Sequence, residues 1–448
     1  MFLMGSGTVA PPGVGYYISA FSGPTADSAG YHPPVVDASS NIYIPGYYQN
    51  TGLPARGLLM KTDASGAIVL QRQLSHATDS VFFTSLALDG SDNIYMLGYQ
   101  YLAASPSYKM VLVKYSSAGA LQWQRILTWA SGDFDPSKQD LVVTSAGDVY
   151  ACGSYQTGGS YVPVIFKYNT SGAIQWQYAL NVGSNSYAYR LALDAVNSRL
   201  YVAGPCLGAP YRYIARIDLA TPSANWAIGF NASGAVTSYT GLVVASNGDV
   251  VGQGFVNAGG STNFTTFDRF SSAGVGLWTS SALSNGTNTN WLLGEYLGRD
   301  ASDNFYLAGS WGDNAGAPNG RVCIIIKVDT SGNILWLRSL ASPTLPTLSY
   351  GISSIQSNGL IVAAYSGGAT PYLTMLKVPS DGTKTGTYSS YVYATPTGIN
   401  TTTPSVPSGG GVNYSTLSPT LTASTVTDAA AALTDSAASL SRTLITIP

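Results

Sequence analysis

Apolar and polar residues alternate in strand-length runs along most of the chain, and clusters of Gly, Asn, Asp and Ser separate the runs. A period of two puts one face of a strand inward and the other outward, so the pattern predicts β-strands rather than helices. In "MVLVKYSSAGALQWQRIL" two such runs flank Ser116 to Gly119, which supply a turn. A Ser or Asp side chain bonds the backbone ahead there, and Gly takes the positive φ.

The runs recur with a fixed period. "SSNIYIPG", "SDNIYMLG", "AGDVYACG", "NSRLYVAG", "NGDVVGQG", "SDNFYLAG" and "SNGLIVAA" end on Gly46, Gly98, Gly153, Gly204, Gly254, Gly309 and Ala364, at steps of 52, 55, 51, 50, 55 and 55 residues. A second landmark follows within each unit. Lys114 to Trp123, Lys167 to Trp176, Arg269 to Trp278 and Lys327 to Trp336 are nine residues apart, and Arg216 to Trp226 is ten. The first and last units carry Leu70 and Gly386 in the Trp slot, as end units of an array do. Two hairpins per unit, seven times over, predict an all-β, seven-bladed β-propeller of four-stranded blades. A solenoid is the rival architecture.

Closure separates the two. From Trp slot to following Gly the distance is 30, 28, 28, 31 and 28 residues, and Tyr17 to Gly46 is 29. Tyr16, Tyr17, Ile18 and Phe21 therefore stand where a Trp strand belongs, with no hairpin partner before them. They are expected to pair with the last blade near "PYLTMLKV", leaving the ring without an open edge. The expected organisation is an N-terminal arm over 1–15, a propeller over 16–394, an extended linker over 395–424 and an anchoring helix over 425–448.

These units resemble the bacterial seven-bladed propeller repeat family, in "D-x-S-G-N-I-Y-V-x-G … K-Y-x-x-x-G-x-x-x-W", across all seven units. The opening "MFLMGSGTVAPPGVGYYISAFSG" resembles the start of propeller-bearing virion proteins of tailed bacteriophages. That resemblance implies a virion component, on the tail or as a head decoration, made in the host cytoplasm and present in several copies. A fold of this kind implies no chemistry by itself.

Composition narrows the function. Twenty Lys and Arg against 22 Asp and Glu give a net charge of -2, without the basic footprint that phosphate backbones require, so nucleic acid is not an expected partner. Apolar runs such as Val322 to Val328 are strand-sized, and no membrane insertion is expected. The first basic residue is Arg56, so no export signal is read; an exported adhesin or lectin-like propeller is the alternative that would need one. Cys152, Cys206 and Cys323 form no paired motif and read as small apolar fillers.

Candidate chemistry is sparse. His32 and His76 are the only histidines, Glu295 is the only Glu, and no catalytic, metal or cofactor site is expected. Asp37, Asp89, Asp194 and Asp300 open turns and read as caps, since a calcium loop needs a closing bidentate Glu. Lys61, Lys114, Lys167, Arg216, Arg269, Lys327 and Lys377 would make a ring of cations for an anionic ligand, or cover apolar blade surface with their stems. Trp123, Trp176, Trp226, Trp278 and Trp336 read as packing between blades. Tyr47, Tyr48, Tyr99, Tyr101, Tyr155, Phe255, Trp311 and Tyr365 follow the landmark Gly toward loops and are the candidate recognition surface for another virion protein, a host receptor or a glycan.

The C-terminal stretch is different. Thr385 to Thr427 carries no charge and is rich in Thr, Pro, Gly and Ser, so with little to bury it is expected to need a neighbouring subunit. "TVTDAAAALTDSAASLSRTL" reads as a helix, with Val426, Leu433, Leu440 and Leu444 on an apolar stripe that docks on a partner or self-associates.

Overall fold

The computed structural model describes residues 16–447, apart from 23–25, 129–132, 232–235, 258–262, 285–290, 313–321, 342–346, 367–371, 402–412 and some shorter connections. Among the described residues the strands pair into seven sheets in which every pairing is antiparallel. The second sheet runs Ser80–Leu88, Ile94–Leu102, Ser107–Tyr115 and Leu121–Thr128, from innermost to outermost. The first, third, fourth, fifth and sixth sheets repeat this up-and-down order over 26–75, 140–181, 190–231, 236–284 and 291–341. The fold is a β-propeller of four-stranded antiparallel blades.

The seventh sheet takes Thr347–Gln356, Gly359–Ser366 and Tyr372–Val378 from its own unit, and its fourth strand is Tyr16–Ser22. Tyr17 lies opposite Lys377, Ile18 opposite Leu376 and Phe21 opposite Leu373. That is the closure read from spacing, with Tyr17 in the Trp slot. Strands of this sheet pack against Ala26–Tyr31 and Val35–Val36 of the first.

The core lies between consecutive sheets. Leu97, Met110 and Leu112 of the second pack with Val149, Phe166 and Tyr168 of the third, all fully buried, and equivalent clusters join the other described pairs. Strand faces are apolar on both sides because each blade is sandwiched by two others.

Landmark glycines mark the point where the innermost strand carries an extra residue. The register shifts between Phe83 and Ser85 opposite Gly98, between Tyr239 and Gly241 opposite Gly254, and between Gly294 and Tyr296 opposite Gly309. Such a bulge pushes backbone toward the neighbouring strand. A Cβ on Gly98 would sit 1.8 Å from the Phe82 carbonyl oxygen, which explains the residue's recurrence.

The C-terminal segment corrects two expectations. It is not a free arm awaiting a subunit, and its end is not a helix. After a hairpin of Gly386–Tyr388 and Tyr391–Ala394, which lies on the outer strand of the sixth sheet, it runs backward around the rim. Ile399–Thr401 pairs with the fifth sheet, Asn413–Leu417 with the fourth, Thr420–Ala423 with the third, Thr427–Ala430 with the second and Thr434–Ser436 with the first. Finally Ser441–Ile447 pairs with the closing strand Tyr16–Ser22. Of the expected helix stripe, Leu444 lies in that last strand, and Val426, Leu433 and Leu440 lie outside the described residues. Seven outer edges offer backbone partners, and edge pairing outweighs the helix propensity of an Ala run that no tertiary contact supports as a helix.

Candidate functional site

The repeated basic residue and Trp are cross-strand partners on the outer hairpin: Lys114 faces Trp123, Arg216 faces Trp226, Arg269 faces Trp278 and Lys327 faces Trp336. Both side chains reach the hairpin turn of the next sheet. Lys114 Nζ donates to Thr170 Oγ1 at 2.8 Å, and Trp123 Nε1 donates to the Thr170 carbonyl at 3.1 Å. Arg216 and Trp226 share the Ser272 carbonyl, at 2.7 and 3.1 Å, and Arg269 and Trp278 share that of Thr330, at 2.8 and 2.9 Å. The glycine of that turn lies flat on the indole. Gly172 has φ 76°, and a Cβ there would meet Trp123 at 2.7 Å.

This latch uses the cations that a ring for anions would need. Lys61 sits 4.7 Å over the Tyr43 ring, Lys114 5.0 Å over Tyr95, Lys327 5.0 Å over Tyr306 and Arg269 5.9 Å over Phe305. Lys167 pairs with Asp148 at 3.0 Å and Arg216 with Asp218 at 2.7 Å. Lys377 is buried, and that burial lowers its ammonium pKa.

The acidic turns are caps. Asp37 accepts from the Asn41 amide and side chain and from the Tyr43 hydroxyl, and Asp89 and Asp300 repeat this with Asn93 and Tyr95 and with Asn304 and Tyr306. Burial alone would raise these carboxyls, but the hydrogen bonds outweigh it and hold all three below their usual value. Ser40, Asp92 and Asp303 take the left-handed position of each turn, at φ 67°, 57° and 57°. Among the described residues no group of three His, Cys, Asp or Glu is placed to hold a metal ion.

Buried charge also holds the sheets together. Arg212 and Asp268, both fully buried, pair at 2.9 Å between the fourth and fifth sheets, with the guanidinium 3.8 Å from the Phe230 ring centre and 4.3 Å from that of Tyr239. Arg190, also buried, lies 3.7 Å over the Tyr296 ring and donates through Nε to the Thr240 carbonyl at 2.6 Å. Asp140 accepts from Ser85 and from the Leu191 amide; burial raises its carboxyl, with Arg190 opposing. The three cysteines are buried and form no disulfide, and burial pushes the Cys206 thiol up to about 12, which keeps it an inert filler.

The candidate aromatics divide. Tyr47, Tyr99 and Tyr101 are half-buried and join two rings that sequence reasoning missed, Phe82 and Tyr108. Tyr47 meets Phe82 edge-on at 4.6 Å, Phe82 stacks on Tyr99 at 4.7 Å, and Tyr108 lies 5.8 Å from Tyr99 and 5.2 Å from Tyr101. Burial raises the Tyr99 hydroxyl. Tyr48 is turned inward, donating to Gln73 Oε1, and Tyr155 is buried in the core beside Phe134. Phe255, Trp311 and Tyr365 fall on the second strands of the fifth, sixth and seventh sheets, with side chains outside the described residues.

A second ring pair lies beyond this run. Tyr161 stacks on Tyr187 at 4.6 Å, with Tyr189 at 5.7 Å from Tyr187. Burial and then Asp135 raise the hydroxyls of both Tyr161 and Tyr187. Asp133 Oδ1 accepts from the Tyr108 amide at 3.3 Å. Tyr108 and Tyr161 had a signal: each stands six residues before the latch lysine of its unit.

No family model matches the chain, and no curated protein does. Solved structures similar to it include the polysaccharide lyase Uly1, at 11% identity and a TM-score of 0.40, covering 79% of this chain and 90% of that one. A Dyadobacter fermentans protein of unknown function is similar at 9% and 0.36, covering 82% and 100%. The WD40 domain of SCAP from fission yeast is similar at 10% and 0.37, covering 82% and 95%. Likeness at this level carries no argument about activity.

Proposed function

We propose that the chain is a structural component of a tailed-bacteriophage virion, tail-associated and present in several copies, whose seven sheets are the blades of one seven-bladed disc. Its work is rigid display. The observation that carries the reading is the half-buried aromatic run Tyr47, Phe82, Tyr99, Tyr108 and Tyr101 at one end of the first two sheets. Tyrosines present large contact area at low entropy cost and suit a glycan face or a protein surface. The latches support the reading because they tie the second blade to the third, the fourth to the fifth and the fifth to the sixth, so little order is lost on binding. The virion placement rests on the likeness of the opening residues to virion proteins of tailed phages.

The test is binding of the purified full chain to host cells and to a bacterial-surface glycan array, beside Tyr99→Ala and Tyr108→Ala. Saturable binding weakened at least about tenfold by either change is expected. Binding indifferent to both overturns the aromatic face as the contact surface. Mass spectrometry of purified particles tests the placement, and absence of the chain from them overturns it.

A further inference from the structure

The tyrosines of the display face differ from the others in what their hydroxyls do. Elsewhere buried tyrosine hydroxyls are bonded inside the protein: Tyr43 and Tyr95 donate to turn aspartates, Tyr213 to the Tyr187 carbonyl and Tyr239 to Asp268. The hydroxyls of Tyr99, Tyr101, Tyr108, Tyr161 and Tyr187 make no hydrogen bond among the described residues. Their partners must come from outside.

These rings form two neighbouring clusters, Phe82 with Tyr99, Tyr101 and Tyr108, and Tyr161 with Tyr187. One backbone device fixes both. Asp133 Oδ1 accepts from the Tyr108 amide while the Phe134 amide donates to the Tyr108 carbonyl, and Asn185 and Ser186 hold Tyr161 in the same way. Ser80 and Val81 repeat it on Ala55. Surfaces fixed in this manner lose little freedom when a ligand arrives.

Asp133 serves both clusters. Bonded to the first, it also reaches the second, where after burial the charges of Asp135 and then Asp133 raise the Tyr161 hydroxyl. Its Oδ2 has no partner among the described residues. Ring faces accept apolar C–H surface, phenols donate and accept, and a carboxylate only accepts. A sugar ring offers an apolar face and several hydroxyl donors at once. An anionic ligand would set like charge against Asp133 and Asp135, which disfavours it.

Resting on the display reading, we infer that the ligand of this face is an uncharged polysaccharide, one chain of which spans both ring clusters and donates hydroxyls to Asp133. Contacts joined by one chain raise each other's effective concentration, so affinity grows with chain length.

The test titrates the full-length protein with neutral bacterial-surface polysaccharides, their monosaccharides and acidic polysaccharides. Neutral chains should bind, with monosaccharides and acidic chains at least about tenfold weaker. Tyr161→Phe removes one hydroxyl and Asp133→Asn one acceptor, each keeping the packing, and each should weaken neutral chains about five- to tenfold. Binding that Tyr99→Ala weakens but both of these leave unchanged overturns the two-cluster site while the display face stands. Preference for acidic chains, or binding to host cells without binding to any polysaccharide, overturns the sugar class and likewise spares the display face. Absence of binding to both cells and polysaccharides overturns the two readings together.

Discussion

Lys114 and Trp123 stand opposite each other on one hairpin, and both donate to the Thr170 carbonyl of the following sheet, Nζ at 3.2 Å and Nε1 at 3.1 Å. One oxygen therefore joins two blades through a charge and an indole. The same sharing recurs at the Ser272 carbonyl between the fourth and fifth sheets and at the Thr330 carbonyl between the fifth and sixth.

Removing the ring should cost more than removing the charge. Trp123→Ala deletes the surface on which Gly172 lies and is expected to destabilise by about 3 kcal/mol. Lys114→Met keeps the stem and should cost about 1 kcal/mol. Urea unfolding of the two variants measures the difference, and equal losses would contradict this account of the latch.

Breaking the buried pair is a harsher change. Asp268→Asn leaves the Arg212 charge without its counterion between two blades, and about 3 to 5 kcal/mol should be lost. Replacing both, Arg212→Met with Asp268→Leu, removes the stranded charge and should recover most of that loss in the same unfolding assay.

Acid should weaken the fold through its turns. The folded pKa values of Asp37, Asp89 and Asp300 lie below 3.8, so their contribution is complete above that value and is lost as pH falls through the folded values. Asp140 acts in the opposite sense: its raised carboxyl disfavours the folded state once pH rises past 3.8, and acid relieves that penalty. Asp89→Asn with Asp300→Asn should lower stability at neutral pH and flatten the acid limb, read as unfolding midpoints from about pH 7 down to about pH 3. An unchanged acid limb would exclude the turn carboxylates as its source.

The rim strands should protect the edges they cover. Thr422 lies opposite Ala179, and Thr422→Pro removes an amide from that short pairing. Hydrogen exchange should then quicken at Ala179 and Leu180 while the inner strands of the third sheet keep their protection. No change there would show that the edge does not depend on the tail.

The repeat was legible because its causes are local. Alternation makes strands, the Asp-to-Asn turn at Asp89 and Asn93 is closed by neighbours in sequence, and the spacing of Tyr17 from Gly46 places the closing strand by arithmetic alone. The recognition face was only partly legible. Tyr47, Tyr99 and Tyr101 follow a landmark Gly by one or three residues, but Phe82 joins them from an innermost strand, while Tyr48 and Tyr155, two residues after theirs, lie on the opposite face and turn inward.

The amino-acid sequence by itself determined the period, the strands and the closing segment, since each depends on residues close together or on a count between them. Only the tertiary structure decided the path of the last sixty or so residues and the pairing of Arg212 with Asp268. The Ala-rich end has a helix pattern in isolation, but its strands pair with outer strands made of residues hundreds of positions earlier. A backbone edge leaves no mark in side-chain periodicity, so what it captures cannot be read from the captured segment alone.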